Sequence, residues 1–326
     1  VSTPQNNIDV SIIIVNWNSR NDVQKCIASI LEWTSGIRFE IVVIDSGSFD
    51  GVGEMLGIFY PDVRFIQSNE NIGFAKANNI AFKLSSGRNI LFLNPDTEIE
   101  SRAVEHMSHW LDVGPDVGVV GARLLNTDRS VQASCVRAFP GILNQLLDSD
   151  ALRSSFPRAR MWGTGLLFRT DGTPGEVDAV SGACLMIKRL VFEAVGMFSN
   201  DYFMYSEDID LCFKVHESGW KTNYVPSAVV VHHGGTSSSK SNVSTFSSVM
   251  MLESRWRFFR KTKSISYCWL YRFAMCLSSI VRIGLAVVVW PIYGLGGRSD
   301  LIWNVIKKWT AILRWTVGGE RWSKRR

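Results

Sequence analysis

IVVIDSGSFDG, residues 41–51, decides the fold: four apolar residues in a row end in Asp45, and a turn holding Gly47 and Gly51 follows. A run without polar alternation predicts a strand buried on both faces, as in parallel sheets. A carboxylate at its end falls in the crevice where open α/β sheets bind ligands. Outward from this stretch the pattern recurs. SIIIVNW at 11–17 precedes a helix pattern near 20–33 with apolar Val23, Ile27, Ile30 and Leu31. Helices are also expected near 51–59, 73–85 and 101–112, after FEIVVID, VRFIQ and NILFLN, with DVGVVGA as a further strand. Such alternation predicts an α/β domain with a mostly parallel central sheet covered on both faces.

At 326 residues, 46% hydrophobic and 20% charged, the chain is long enough for one large core plus an appendage and is not compositionally disordered. The six cysteines form no CxxC pair, and VSTPQNNIDVSIII lacks a basic flank and a small-residue cleavage site. The expectation is a cytosolic face with reduced thiols. The formal charge of +5 hides a division: residues 251–326 hold 15 of the 35 Lys and Arg but only three acids, Glu253, Asp300 and Glu320. The two parts therefore face different partners. Between 122 and 177, Pro140, Pro157 and Pro174 break up short apolar pieces and predict loops. VDAVSGACLMIKR restores a buried strand, a helix follows at about 207–218, and the serine-rich 236–248 is expected as a loop or linker. These readings divide the chain into 1–240 and a helical 241–326.

Three more polar clusters follow in order: LFLNPDTEIE at 91–100, YSEDIDLCFK at 205–214 and VVVHHGGTSS at 229–238. Asp45 can accept a hydrogen bond from a nucleobase or ribose, or build an Asx-turn that caps the next helix. Asn16 and Trp17 can flank the same base, with plain core the other reading of Trp17. Asp96 and Glu98 form an acid-x-acid pair suited to Mg²⁺ or Mn²⁺, which bind through one or two carboxylates and substrate phosphates. Asp96 is the better ligand, since Glu98 is equally placed to cap a helix. Glu207 and Asp208 open a helix beside aromatic residues that partly desolvate them while the helix N-terminus favours their charge, which makes Asp208 the general base. Asp210 reads as a cap. Adjacent side chains on an extended segment point opposite ways, so one of His232 and His233 reaches the crevice, and His232 is chosen.

Together VSIIIVNWN, VVIDSGSFDG, NENIGFAKANN, FLNPDTEI, VSGACLMIKR, FMYSEDIDLCFK and VVVHHGGTS, spread over roughly 9–238, resemble the inverting family 2 glycosyltransferases of GT-A fold, most closely their bacterial rhamnosyltransferase-like branch. The resemblance implies a nucleoside-diphosphate sugar donor, with Asn16, Asp45, Asn71, Gly73, Asn78 and Asn94 on the donor side. It implies a divalent metal at Asp96 and His232, and Glu207 and Asp208 as the acidic catalytic pair. The motif here reads Asn94-Pro95-Asp96, so asparagine replaces its first acid. An acceptor that is a glycan, or a glycan on a lipid, of the bacterial cell envelope follows from the same resemblance.

Seven of the twelve tryptophans lie in the tail among Arg and Lys, a composition that favours a membrane surface. FAMCLSSIVRIGLAVVVW at 273–290 carries Arg282 in its middle, and Pro291 is expected to end it. An interfacial or re-entrant helix is preferred to a true span, with a core or oligomer-contact helix as the alternative. The chain is thus expected to be peripheral on the cytoplasmic face of the inner membrane, with oligomerisation left open. Rival classes are a metal-dependent phosphoesterase or nucleotidyltransferase and an inactive glycan-binding relative. A nucleic-acid partner is not expected, because the catalytic part is acidic.

Overall fold

Strands without polar alternation need cover on both faces, and the molecule supplies it. The structure, a computed structural model, describes residues 8–169, 171–234, 243–295 and 299–318. The chain runs β1 (Val10–Asn16), α1 (Arg20–Trp33), β2 (Phe39–Ser46), α2 (Val52–Phe59), β3 (Arg64–Ser68), α3 (Phe74–Lys83), β4 (Asn89–Leu93), β5 (Thr97–Glu100), α4 (Ala103–Val113) and β6 (Val117–Leu125). Short β7 (Val136–Arg137), α5 (Ile142–Leu146), α6 (Asp150–Ser155), β8 (Gly175–Glu176) and β9 (Ala179–Val180) follow. The remainder is β10 (Cys184–Lys188), α7 (Arg189–Ala194), α8 (Glu207–Glu217), β11 (Lys221–His232), α9 (Val243–Thr262), α10 (Ile265–Leu295) and α11 (Ser299–Thr316).

Contacts divide the chain into two compact units. The first holds Val1–Phe139, Arg153–Phe203 and Glu207–Ser237. Its main sheet is ordered β3-β2-β1-β4-β10-β6-β11-β5, with β8 beside β11. Strands β1, β2, β3, β4, β6 and β11 point one way, and β5, β8 and β10 the other. The sheet is therefore mostly parallel, in an α/β fold. Ile12–Ile14, Val42–Ile44 and Ile90–Phe92 are completely buried, which is why their sequences lack alternation. Phe198 packs edge-on against Phe92 and Phe192, which are tilted against each other, with centroids 4.7–5.4 Å apart. The stretch VDAVSGACLMIKR forms two strands, β9 and β10, because the chain bends at Ser181–Ala183 between them.

The second unit holds Pro140–Leu152, Met204–Ser206 and Ser238–Arg326. Within it Arg272 donates to the Thr316 and Trp315 carbonyls, at 2.6 and 2.7 Å, and so caps the C-terminus of α11. Its guanidinium also lies 5.5–5.6 Å from the Trp256, Trp269 and Trp315 rings. Arg282, in the middle of the apolar run, donates to the Leu146 carbonyl at 2.9 Å and lies 4.5 Å from the Trp309 ring. Tyr205 and Ser206 both have φ of 69°, a left-handed pair at the entry to α8.

Three sequence expectations are corrected. The stretch 122–177, expected as loops, continues β6 to Leu125 and carries the short helices α5 and α6, since five or six residues are too few to show apolar periodicity. Of the serine-rich 236–248, residues 236–242 lie outside the described residues, and 243–248 are helix rather than loop. Burial of Val249 and Met250 one turn on outweighs the weak helix preference of serine. Nor does Pro291 end the apolar helix, since α10 continues to Leu295. So near the C-terminus, the proline costs the helix one backbone hydrogen bond rather than its continuity.

Candidate active site

Strand register builds the site. Asn16 and Asp45 are neighbours at the ends of β1 and β2, and Gln67 of β3 is opposite Asp45. Asn16 Nδ2 donates to Asp45 Oδ1 at 2.8 Å, and Gln67 Nε2 to Asp45 Oδ2 at 2.7 Å. The backbone N–H groups of Ser48 and Phe49 donate to Oδ2 at 3.1 and 3.0 Å, and Ser48 Oγ donates to Oδ1. Burial would raise the Asp45 pKa, but the hydrogen bonds from Ser48, Gln67, Phe49 and Asn16 outweigh it and hold the carboxyl below its ordinary range. Asp45 thus makes the turn-building contacts of one sequence reading. Asp50, which that reading passed over, takes the Arg20 N–H at 2.9 Å and shares the Asn16 amide at 3.1–3.2 Å. Its position in the quoted SGSFDG turn was the available signal.

The β2–α2 turn must fit closely against the strand of chain before α3. At Gly47, φ 73°, an added Cβ would come within 2.4 Å of the Glu70 backbone. Asn71 Oδ1 accepts from Ser46 Oγ at 3.3 Å and from the Gly73 N–H at 3.0 Å. Gly73, φ 76°, opens α3, and a Cβ there would lie 2.6 Å from the Phe203 carbonyl. Asn78, expected on the donor side, is buried and donates to the Phe74 carbonyl of its own helix at 3.0 Å. Its neighbour Asn79 does the longer-range work, donating to the Phe198 carbonyl at 2.8 Å and to Asn200 Oδ1 at 3.1 Å.

A second group forms where β4, β5 and β11 meet. His232 is paired with Thr97, so its ring is brought to Asp96, and Nε2 lies 3.4 Å from Asp96 Oδ1 and 3.4 Å from Asn94 Nδ2. Asp96 is 7% exposed. His233 turns the other way, to Glu98 Oε1 at 2.8 Å and Thr127 Oγ1 at 3.2 Å. The two imidazoles diverge as the alternation of a strand requires. Gln132, in the stretch expected as loops, meets His232 Nδ1 at 2.8 Å through Oε1. Nothing in the local sequence marked it.

Glu207 and Asp208 open α8 and are buried. Asp208 Oδ2 accepts the Gly182 N–H at 3.0 Å, and Oδ1 that of Ile209 at 2.8 Å. The next residue, Ala183, accepts the Asn94 N–H at 2.9 Å. Asp208, Asn94, His232 and Asp96 are therefore linked through one short backbone bridge, while Asn16 and Asp45 form a separate hydrogen-bonded pair at neighbouring strand ends, and Asn71 is tied to Ser46, the residue after Asp45. Asp210 instead accepts from Ser199 Oγ at 2.5 Å and Tyr202 Oη at 3.1 Å, holding the loop before α8.

Residues 11–196 match the model of the family described as Glycosyl transferase family 2. The match stops short of Asp208 and His232. A relative, N-acetylglucosaminyl-diphospho-decaprenol L-rhamnosyltransferase of Mycobacterium tuberculosis, is 27% identical over 68% of this chain and 75% of its own. A low-salt glycan biosynthesis hexosyltransferase of Haloferax volcanii is 28% identical over 63% of this chain and 61% of its own. Among solved structures, a mannosyltransferase from Pyrobaculum calidifontis in complex with GDP-Man and Mn²⁺ aligns over 98% of this chain and 89% of its own. Its TM-score is 0.58 at 16% identity, a likeness of fold. With the family matched across more than half its length, this chain belongs to glycosyl transferase family 2 and is a glycosyltransferase of GT-A-like fold.

Proposed function

We propose that the chain is an inverting hexosyltransferase that moves a sugar, rhamnose being the first to test, from a nucleoside-diphosphate donor to a lipid-linked or growing surface glycan. The contact of Asp96 with His232, tied to Asp208 through Asn94, Ala183 and Gly182, carries this reading. A hard carboxylate and one imidazole suit Mg²⁺ or Mn²⁺, since such ions keep most positions for water and substrate phosphates. Among the described residues no group of three or more His, Cys, Asp or Glu is gathered to enclose an ion. When bound, the ion supplies positive charge to the departing diphosphate.

Asp208 takes the proton of the acceptor hydroxyl. Two backbone N–H groups fix its carboxylate plane, so its remaining lone pairs keep one direction. Attack on the face opposite the leaving group then inverts the anomeric centre, and one base suffices. Asn16, Asp45, Asn71 and Gly73 shape the base and ribose side of the donor. The polyprenyl diphosphate in the mycobacterial relative's name supports a lipid-linked acceptor, and the exposed apolar α10 supports docking on the cytoplasmic face of the inner membrane. In this reading 1–240 is the catalytic part and 241–326 the membrane-associated part.

The test incubates the purified full chain with dTDP-rhamnose and a panel of UDP- and GDP-sugars, a polyprenyl-diphosphate-linked acceptor and Mn²⁺. The expected outcome is transfer with inverted anomeric configuration by NMR. Asp208→Asn should lower kcat by roughly 10²–10⁴-fold with little change in donor KM. A retained configuration, or full turnover by that variant, would overturn the mechanism.

A further inference from the structure

The loop that follows β6 reaches both histidines, and its hydrogen bonds have a direction. Ser130 Oγ donates to Asp128 Oδ1 at 2.5 Å, a carboxylate that can only accept, so the serine hydrogen is committed. Ser130 Oγ then accepts from Asn126 Nδ2 at 2.9 Å, which leaves Asn126 Oδ1 as an acceptor. Gln132 Nε2 donates to that oxygen at 3.1 Å. The amide of Gln132 is thereby oriented with Oε1 towards His232, 2.8 Å from Nδ1, and an amide oxygen can only accept. His232 must therefore carry its proton on Nδ1. At the next residue the assignment is opposite: His233 Nε2 faces the Glu98 carboxylate at 2.8 Å, and Thr127 Oγ1 lies 3.2 Å from Nδ1.

We propose that Gln132, oriented by the chain Asp128–Ser130–Asn126, is a positioning residue that locks His232 as its Nδ1–H tautomer and so aims the Nε2 lone pair at the Asp96 side of the site. This rests on the reading of Asp96 and His232 as the diphosphate-metal group. With Nδ1 turned to Gln132, Nε2 faces Asp96 Oδ1 at 3.4 Å, so an imidazole nitrogen and a carboxylate oxygen are presented side by side as two ligands for one cation. Asn94 Nδ2, at 3.4 Å, is the donor that meets the same lone pair. His233 is consigned to joining β5 to the loop. The loop thus orients His232 through Gln132, while Glu98 of β5 holds His233, and the two adjacent histidines take different duties.

The test reads the tautomer directly. Long-range ¹H–¹⁵N spectra of the full chain, with the His232 signals assigned by their loss in His232→Gln, should show Nδ1 protonated and Nε2 bare in the wild type. Gln132→Ala should move His232 towards the tautomer mixture of free histidine. Gln132→Glu, which still offers an acceptor oxygen, should restore the wild-type pattern and serves as the folded control. Mn²⁺ titration followed by electron paramagnetic resonance should find Gln132→Ala about 10–100-fold weaker and Gln132→Glu near wild type. A wild-type His232 protonated on Nε2, or on both nitrogens, overturns the proposal, as does a tautomer unchanged in Gln132→Ala. If His232→Gln leaves Mn²⁺ affinity intact while the tautomer still follows Gln132, the lock stands and the metal reading alone fails.

Discussion

Asp45 shows how one side chain can be legible in position and not in duty. Its place at a strand end before a glycine turn is plain in the sequence, yet its five donors include Gln67, brought opposite only by the pairing of β2 with β3. Long-range register is the piece a local reading lacks. Because the folded carboxyl titrates below its unfolded value, the stabilisation it contributes is complete above about pH 4 and is lost as pH falls through the depressed folded value. Asp45→Ala should therefore cost about 1–3 kcal/mol at pH 7, from stranding buried donors, and the gap to wild type should narrow in urea unfolding below about pH 4. A gap that stays constant into acid would assign its contribution to packing. Asp96 and His232 were similarly visible as residue types at strand ends. Gln132 was not, because an isolated glutamine in a weakly periodic stretch carries no pattern.

Among elements, the segment 198–203 is held from two sides. Helix α3 grips it through Asn79, which donates to Phe198 O and Asn200 Oδ1 and accepts the Phe198 N–H at 3.1 Å. Helix α8 grips it through Asp210, and burial, with that carboxylate beside it, pushes the Tyr202 hydroxyl pKa well above its usual value. Asp210 was read as a cap, and it does lie in the first turn of α8, where an acid suits the dipole; the donors Tyr202 and Ser199, eight and eleven residues earlier in a stretch without periodicity, were not legible. Asn79→Ala should destabilise by about 1–3 kcal/mol and speed amide hydrogen exchange across 198–203 while leaving β1 and β4 protected. Uniform exchange throughout the unit would show that the clamp is not local. Helices α1, α2, α3, α4 and α8 were legible to within a few residues, because apolar spacing is a local signal; the short α5, α6 and α7 were not, being too brief to show a period, nor was the run-on through Pro291, which depends on how little of the helix remained to break.

Across the whole chain, composition separates an acidic part from a basic, tryptophan-rich one. What composition could not tell is where the cations go: Arg272 and Arg282 are spent on carbonyls and indoles of their own unit rather than left for headgroups. The apolar surface is another matter. Residues 265–291 are long and apolar enough to cross a membrane, with only 17% of the most apolar stretch buried, and Phe273, Leu277, Leu285 and Val288 are each more than half exposed. The membrane proposal predicts that the chain floats with anionic vesicles and that Leu285→Glu with Val288→Glu weakens binding at least tenfold, about 1.5 kcal/mol or more of lost apolar burial. Binding that depended only on salt would assign it to the basic residues instead. The crowding of Trp256, Trp269 and Trp315 about Arg272 has an optical corollary. With seven of the twelve indoles in residues 251–326, ultraviolet emission from this enzyme reports mainly on its helical end. A melt followed by fluorescence would track that end, and its midpoint need not coincide with one followed by the circular dichroism of the sheet.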